Sequence, residues 1–163
     1  MRKEQDFIGE VELPDDALYG IHSLRATHNF PDQTRFHKEW YQAVGIVKHA
    51  CYNTYARFKE AVETRYDVTE LPLQLMDKPV VDSLIHSSLE VAEGKHFEHF
   101  IVPAVNGGAG TSINLNVDEI IANRSLTQIG ETPGRYDIID PIEHANIYQS
   151  TNDVIPTALR VAV

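Results

Sequence analysis

The chain has 163 residues, a formal net charge of −10 and 42% hydrophobic residues. That composition fits one domain with its own core and argues against a broad nucleic-acid footprint. A single cysteine, Cys51, excludes an intrachain disulfide and suits a reducing compartment.

The N-terminus "MRKEQDFIGE" is charged and lacks the apolar segment of a secretory signal, and no apolar run is long enough to span a bilayer. A cytoplasmic protein is expected, in which the sequon Asn123-Arg124-Ser125 goes unused. Negative charge leaves room for a small anionic substrate, because local donors outweigh a distant field.

Residues 1–35 read as irregular, with turns at Leu13-Pro14-Asp15-Asp16 and Asn29-Phe30-Pro31-Asp32 and short strands between Phe7 and Leu13. Residues 37–63 read as a helix. Val44, Val47, Cys51, Tyr55, Phe58 and Val62 recur every three or four positions and make one apolar stripe. Cys51 on that stripe reads as core, not as a nucleophile.

A second helix starts at Asp77, a capping residue, with Pro79 in its first turn and Gly94 as its stop. Val80, Val81, Leu84, Ile85 and Val91 supply its buried side. A third helix follows "GGAGTSINLN" (residues 107–116), with Ile113, Val117, Ile120 and Ile121 on one face and Gly130 at its end. "ETPGRYDIIDP" reads as a loop with a short extended piece. A fourth helix begins near Asp153, because Pro156 is comfortable only in a first turn. The domain is mainly α. Its last stretch, "NDVIPTALRVAV", carries no stop signal, so the chain is expected to continue into a longer protein.

Two hydroxyl-rich segments sit at helix starts: Thr111-Ser112 after the glycines, and "QSTND" at 149–153. Unpaired N–H groups and the helix dipole favour an anion at such places. Glycines 107, 108 and 110 let a ligand approach the main chain. Together the two starts could hold a carboxylate; taken singly, each is also what ordinary helix capping needs. No Lys-Ser/Thr follows the glycines and no apolar strand precedes them, which excludes a Walker-type loop and a dinucleotide fold. His96 and His99 have a spacing two metal ligands could use, but no further ligand completes a site.

"GGAGTSINLNVDEIIANRSL" followed by "HANIYQSTNDVIPTALRVAV" resembles the aspartase/fumarase superfamily. "FIGEVELPDDALYGIHSLRATHNF" and "MDKPVVDSLIHSSLEVAEGK" extend the resemblance over nearly the whole chain; residues 31–42 and 59–72 match poorly. "GGAGTS" and "QSTND" are similar to the aspartate ammonia-lyase branch, whereas fumarases tend to carry "GSGT" and "QSSND". There are departures: Leu115 stands where the family has methionine, "HPNDHVN" reads "DPIEHAN" with Asp140, Ile142 and Glu143, and Asn106 replaces a common glutamine. These touch subtype and any secondary site, not the fold.

The resemblance implies the N-terminal domain of that fold, residues 1–163, ahead of a central helical bundle and a C-terminal domain. It implies conversion of L-aspartate to fumarate and ammonia without a cofactor, by a homotetramer. Thr111, Ser150 and Thr151 would hold the β-carboxylate, Asn152 would contact the amino group, and Arg25 in "IHSLRA" would stand close to the substrate. Ser112 and Asn114 would shape the turn, and His144 would orient a loop. The family's base serine lies in a downstream "GSSxMPxKxN" loop absent from these residues, so no catalytic residue is expected here and this chain alone is expected to be inactive. Other readings remain open: a fumarase or another superfamily lyase, or a non-catalytic binding or assembly module. Arg25 also reads as an ordinary ion-pair arginine.

Overall fold

The computed structural model describes all residues except Pro31, Leu73 and Gly107. An N-terminal hairpin pairs β1 (Arg2–Gln5) with β2 (Glu10–Leu13), antiparallel, Arg2 opposite Leu13 and Gln5 opposite Glu10. Phe7, expected in a strand, lies in the connecting turn. Five α-helices follow among the described residues: α1 (Ile21–Asn29), α2 (Lys38–Arg65), α3 (Lys78–Ala92), α4 (Thr111–Gln128) and α5 (Thr151–Ala162). No helix is long and apolar enough to cross a membrane among the described residues.

Helix α1 falls where the sequence reads as irregular. Its N-cap residue Gly20 has no capping side chain of its own. The caps come from far away in the chain. Glu119 on α4 accepts the N–H groups of Gly20 (2.8 Å), His22 (2.9 Å) and Ser23 (3.2 Å), and Glu4 on β1 accepts that of Ile21 (2.8 Å). Two carboxylates at a helix N-terminus satisfy its orphan donors and complement its dipole. Nothing local in the sequence announces this.

Helices α2 and α3 pack at close range. A Cβ on Gly45 would lie 2.4 Å from the backbone nitrogen of Ala92, so glycine is what lets α2 approach α3. The buried face of α2 is rotated from the expected stripe: Tyr41, Val44, Lys48, Tyr52, Tyr55 and Val62 are buried, while Cys51 is half-buried and Phe58 exposed. Burial pushes the Cys51 thiol up, away from thiolate chemistry.

Helix α3 starts and stops as expected, with Asp77 at the N-cap position, proline in the first turn and Gly94 in the left-handed region (φ 78°). Helix α5 starts earlier than expected. Ser150 accepts the N–H of Asn152 and Asp153 reaches back to the N–H of Ser150, a capping box that fixes the start at Thr151 and leaves Pro156 in the second turn. "ETPGRYDIIDP" forms turns without a strand, and Pro141–Ala145 makes one π-helical turn.

Helix α4 is the centre of the domain. Ile113, Val117, Ile120 and Ile121 are buried as expected, and so are Asn114, Asn116, Asp118, Glu119, Asn123 and Ser125 around the rest of its circumference. A buried polar group must find a partner. Asn116 Oδ1 accepts the N–H groups of Ile101 (2.9 Å) and Val102 (3.2 Å). Asn123 donates to the Leu18 carbonyl (2.8 Å) and accepts the Gly134 N–H (2.7 Å).

Where α3 meets α4, the buried Glu90 accepts two bonds from Arg124 (2.6 and 2.9 Å) and one from His96 (3.0 Å). Arg124 in the first place holds the Glu90 carboxyl down to about 2, against an ordinary 4.5. Between those values the unfolded chain binds the proton more readily, so this stabilisation is complete above about pH 4.5 and is lost as pH falls towards 2. Glu90→Gln is expected to flatten the acid side of a Tm-against-pH curve over that window; an unchanged slope would contradict this assignment.

Candidate functional site

The two hydroxyl-rich segments meet in the fold. Gly110, at φ 84°, precedes Thr111, and a Cβ there would lie 3.1 Å from two side-chain carbons of Ile155 on α5. Ile155 is one turn after Thr151 and so shares its helix face. The glycine turn thus abuts the first turns of α5, which brings the starts of α4 and α5 side by side. Gly107 lies outside the described residues. Gly108 is exposed, at φ 78°, with open space where a side chain would stand.

The starts differ in what they leave free. At α4 no side chain caps the helix; the Thr111 hydroxyl donates to the Gly108 carbonyl (2.9 Å) and is exposed. A 3-10 turn, Gly108–Gly110, runs into α4, and no side chain among the described residues caps the first N–H groups of the helix. At α5 the capping box occupies the Ser150 oxygen as an acceptor, but its own proton remains available to donate. Thr151 is half-exposed and Asn152 exposed beside it. Capping and ligand binding are therefore compatible at Ser150.

Just before each segment a non-glycine residue stands in the left-handed region: Ala109 at φ 56° and Tyr148 at φ 52°. Each costs on the order of 1 kcal/mol and persists only where neighbours impose it.

What imposes it beneath α5 is a polar network that the sequence reading missed. Lys48 of α2 and Asp118 of α4 are both fully buried, with Nζ 2.6 Å from Oδ1. Asn146 joins them: its Oδ1 accepts from Lys48 Nζ (2.9 Å) and from Asn114 Nδ2 (2.9 Å), and its Nδ2 donates to the Gln149 carbonyl (2.9 Å). Asn114 also donates to Asp118 Oδ2 (3.0 Å), and the Tyr52 hydroxyl donates to the Ala145 carbonyl. The chain immediately before Ser150 is thus wired to α2 and α4. Burial pushes the Asp118 carboxyl up to about 6, against the pull of Lys48. The available signals were a lysine in the α2 stripe and an Asp-Glu pair in the apolar run of α4.

Arg25, the remaining expected site residue, lies on α1. It lines a cleft of about 330 Å³ with Phe7, Ile8, Ser112 and Leu115, next to Thr111. Its guanidinium is bonded to Asp6 at 2.5 and 2.7 Å. A larger cavity, about 600 Å³, is lined by Tyr55, Met76, Tyr136, His144 and Tyr148 and includes none of the expected substrate residues. His144 accepts the Asp140 N–H (2.8 Å), which orders the π-helical turn. His96 faces Glu90, whereas His99 accepts the Leu18 N–H (3.3 Å), so the two rings serve different partners.

Known proteins resemble this chain in sequence and fold. A family model described as Lyase matches residues 9–163. The chain belongs to the aspartase/fumarase lyase family. An aspartate ammonia-lyase of a Bacillus species is 44% identical over 100% of the chain and 32% of its own length. A class II fumarate hydratase of Halobacterium salinarum is 38% identical over 99% of the chain and 31% of its own length. A crystal structure of a fumarate lyase:delta crystallin from Brucella melitensis superimposes with a TM-score of 0.85 at 34% identity, covering 99% of this chain and 34% of that one. The chain spans about a third of the length of these lyases.

Leaving Lys48 without Asp118, or the reverse, strands a buried charge. Asp118→Leu or Lys48→Met alone is expected to cost about 3–5 kcal/mol, and the two together much less. Urea unfolding of the singles and the double checks this; additive losses would mean that the pair is not coupled.

Proposed function

We propose that this chain is the N-terminal part of an aspartate ammonia-lyase that converts L-aspartate to fumarate and ammonia. The observation that carries the reading is the abutment of two hydroxyl-rich helix starts, one of them uncapped, in a chain 44% identical to an aspartate ammonia-lyase.

Removing a proton from the carbon beside the β-carboxylate drives charge onto that carboxylate, and ammonia leaves from the neighbouring carbon. Donors already in place where charge develops lower the barrier. Ser150, Thr151 and the uncapped start of α4 supply them, Thr111 joins by turning its hydroxyl from the Gly108 carbonyl to the ligand, and Asn152 is placed for the amino group. The base comes from a serine loop further along the longer protein, which we read as a cytoplasmic homotetramer. No cofactor takes part.

Hydration of fumarate is the second reading, favoured by the 38% identity to a class II fumarate hydratase. The same carboxylate-binding turns serve both reactions, since both pass through charge on a carboxylate. A non-catalytic module would keep the turns and turn over neither substrate.

In the full-length protein, Thr111→Ala and Thr151→Val are each expected to lower kcat by about 10²–10³-fold, the usual effect of removing one such donor. Ammonia release from L-aspartate and hydration of fumarate, measured side by side, distinguish the two enzymes, and unchanged kinetics in both variants would refute the site. The purified 163-residue chain is expected to release no fumarate from aspartate.

A further inference from the structure

Arg25 is the expected site residue whose contacts least resemble substrate binding. Its Nε bonds Asp6 Oδ2 (2.5 Å), and its Nη2 bonds Asp6 Oδ1 (2.7 Å) and the Gly9 carbonyl (3.0 Å). Asp6 in turn accepts the N–H groups of Ile8 (2.9 Å) and Gly9 (3.1 Å), and its own N–H donates to the Gly9 carbonyl (3.2 Å). A bidentate arginine and two internal acceptor bonds close on one four-residue turn between β1 and β2. Arg25 in the first place holds the Asp6 carboxyl down to about 2, so the pair is charged throughout the physiological range.

The turn so fixed carries unusual residues. Tight turns favour Gly, Asn, Asp and Pro at their tips. Here the tip is Phe7-Ile8, with exposures of 111% and 78%. Both side chains line the cleft that also holds Ala26, Leu115 and Ser112, and Ser112 directly follows Thr111. A rigid apolar tip beside an uncapped helix start is poorly explained as surface decoration, since exposing two large apolar groups gains the chain nothing by itself.

We propose that Arg25 is a positioning residue that clamps the Asp6–Gly9 turn, so that Phe7 and Ile8 form an apolar wall beside the carboxylate-holding start of α4, and that Arg25 does not itself bind the substrate. This rests on the dicarboxylate reading above for the identity of the ligand. The wall faces the substrate's carbon chain, a contact that substrate and transition state make equally.

The wall touches ground state and transition state alike, so its loss appears in KM and leaves kcat nearly unchanged. In the full-length protein, Arg25→Gln and Asp6→Asn are each expected to raise KM for the dicarboxylate about tenfold with kcat kept within about twofold, and the double variant to be no worse than either single. Asp6→Asn keeps an acceptor for the Ile8 and Gly9 amides while it removes the charge and the acceptor facing Arg25 Nε, so the turn's own bonds are preserved and the clamp is not. Phe7→Ala is expected to raise KM in the same way. A general loss of structure would lower kcat through the active fraction and leave KM alone. If Asp6→Asn is kinetically silent while Arg25→Gln is not, Arg25 acts on the substrate directly and the proposal falls.

Hydrogen exchange at Ile8 and Gly9 tests the clamp without reference to activity. Faster exchange in Arg25→Gln is expected, and unchanged exchange overturns the clamp. Should the unaltered protein turn over neither aspartate nor fumarate, the proposed function fails together with the wall's role in binding, and the exchange result alone still decides whether Arg25 holds the turn.

Discussion

The ion pair between Lys48 and Asp118 stands at the junction of α2, α4 and the segment leading into α5. Taking both charges out of water costs several kcal/mol per ion, and well-packed apolar residues there would often serve stability as well or better. What an apolar pair cannot do is address Asn146. The lysine and Asn114 converge on one amide oxygen, and the opposite end of that amide holds the Gln149 carbonyl. Register is thereby passed from a long, rigid helix to the backbone one residue before Ser150. The strained Tyr148 lies inside the same stretch, where a fixed path on either side leaves the backbone no cheaper conformation.

The same logic runs along α4. Its apolar face supplies cohesion, but its buried polar residues decide where the irregular parts of the chain go. Glu119 starts α1, Asn116 holds the irregular chain at Ile101 and Val102, and Asn123 holds Leu18 and Gly134. Each is satisfied by backbone groups, which are fixed in number and direction, so each bond specifies a position as well as contributing energy. A helix buried on all sides can do this only with short polar side chains that find partners close by.

These facts explain what the sequence revealed. Helices α2 to α5 were legible because apolar spacing, a capping Asp or Ser and a stopping glycine are local features. The hydroxyl-rich starts of α4 and α5 were legible for the same reason, and their long motifs carried the family. Helix α1 was not, because its caps, Glu4 and Glu119, stand 17 and 99 residues from the amides they accept from. The face of α2 was rotated because Lys48, polar by composition, is buried by a partner 70 residues away, Asp118. Pro156 misplaced the start of α5: a missing N–H is tolerated in the second turn when a capping box has already anchored the first. Pattern reading finds what neighbours in sequence determine and misses what a distant side chain supplies.

The candidate site has a consequence for charge. A dicarboxylate would arrive at a chain of formal charge −10 whose two relevant cations are already neutralised, Arg25 by Asp6 and Lys48 by Asp118. What remains at the helix starts is a set of neutral dipoles: hydroxyls of Thr111, Ser150 and Thr151, and the start of α4, which no side chain caps. Neutral donors bind a solvated carboxylate weakly, since water offers the same bonds. They act most strongly once water is excluded and charge builds on an atom at which they are already aimed. A site of this composition therefore favours the charged transition state over tight binding of the ground state, and it leaves overall charge balance to cations outside these residues.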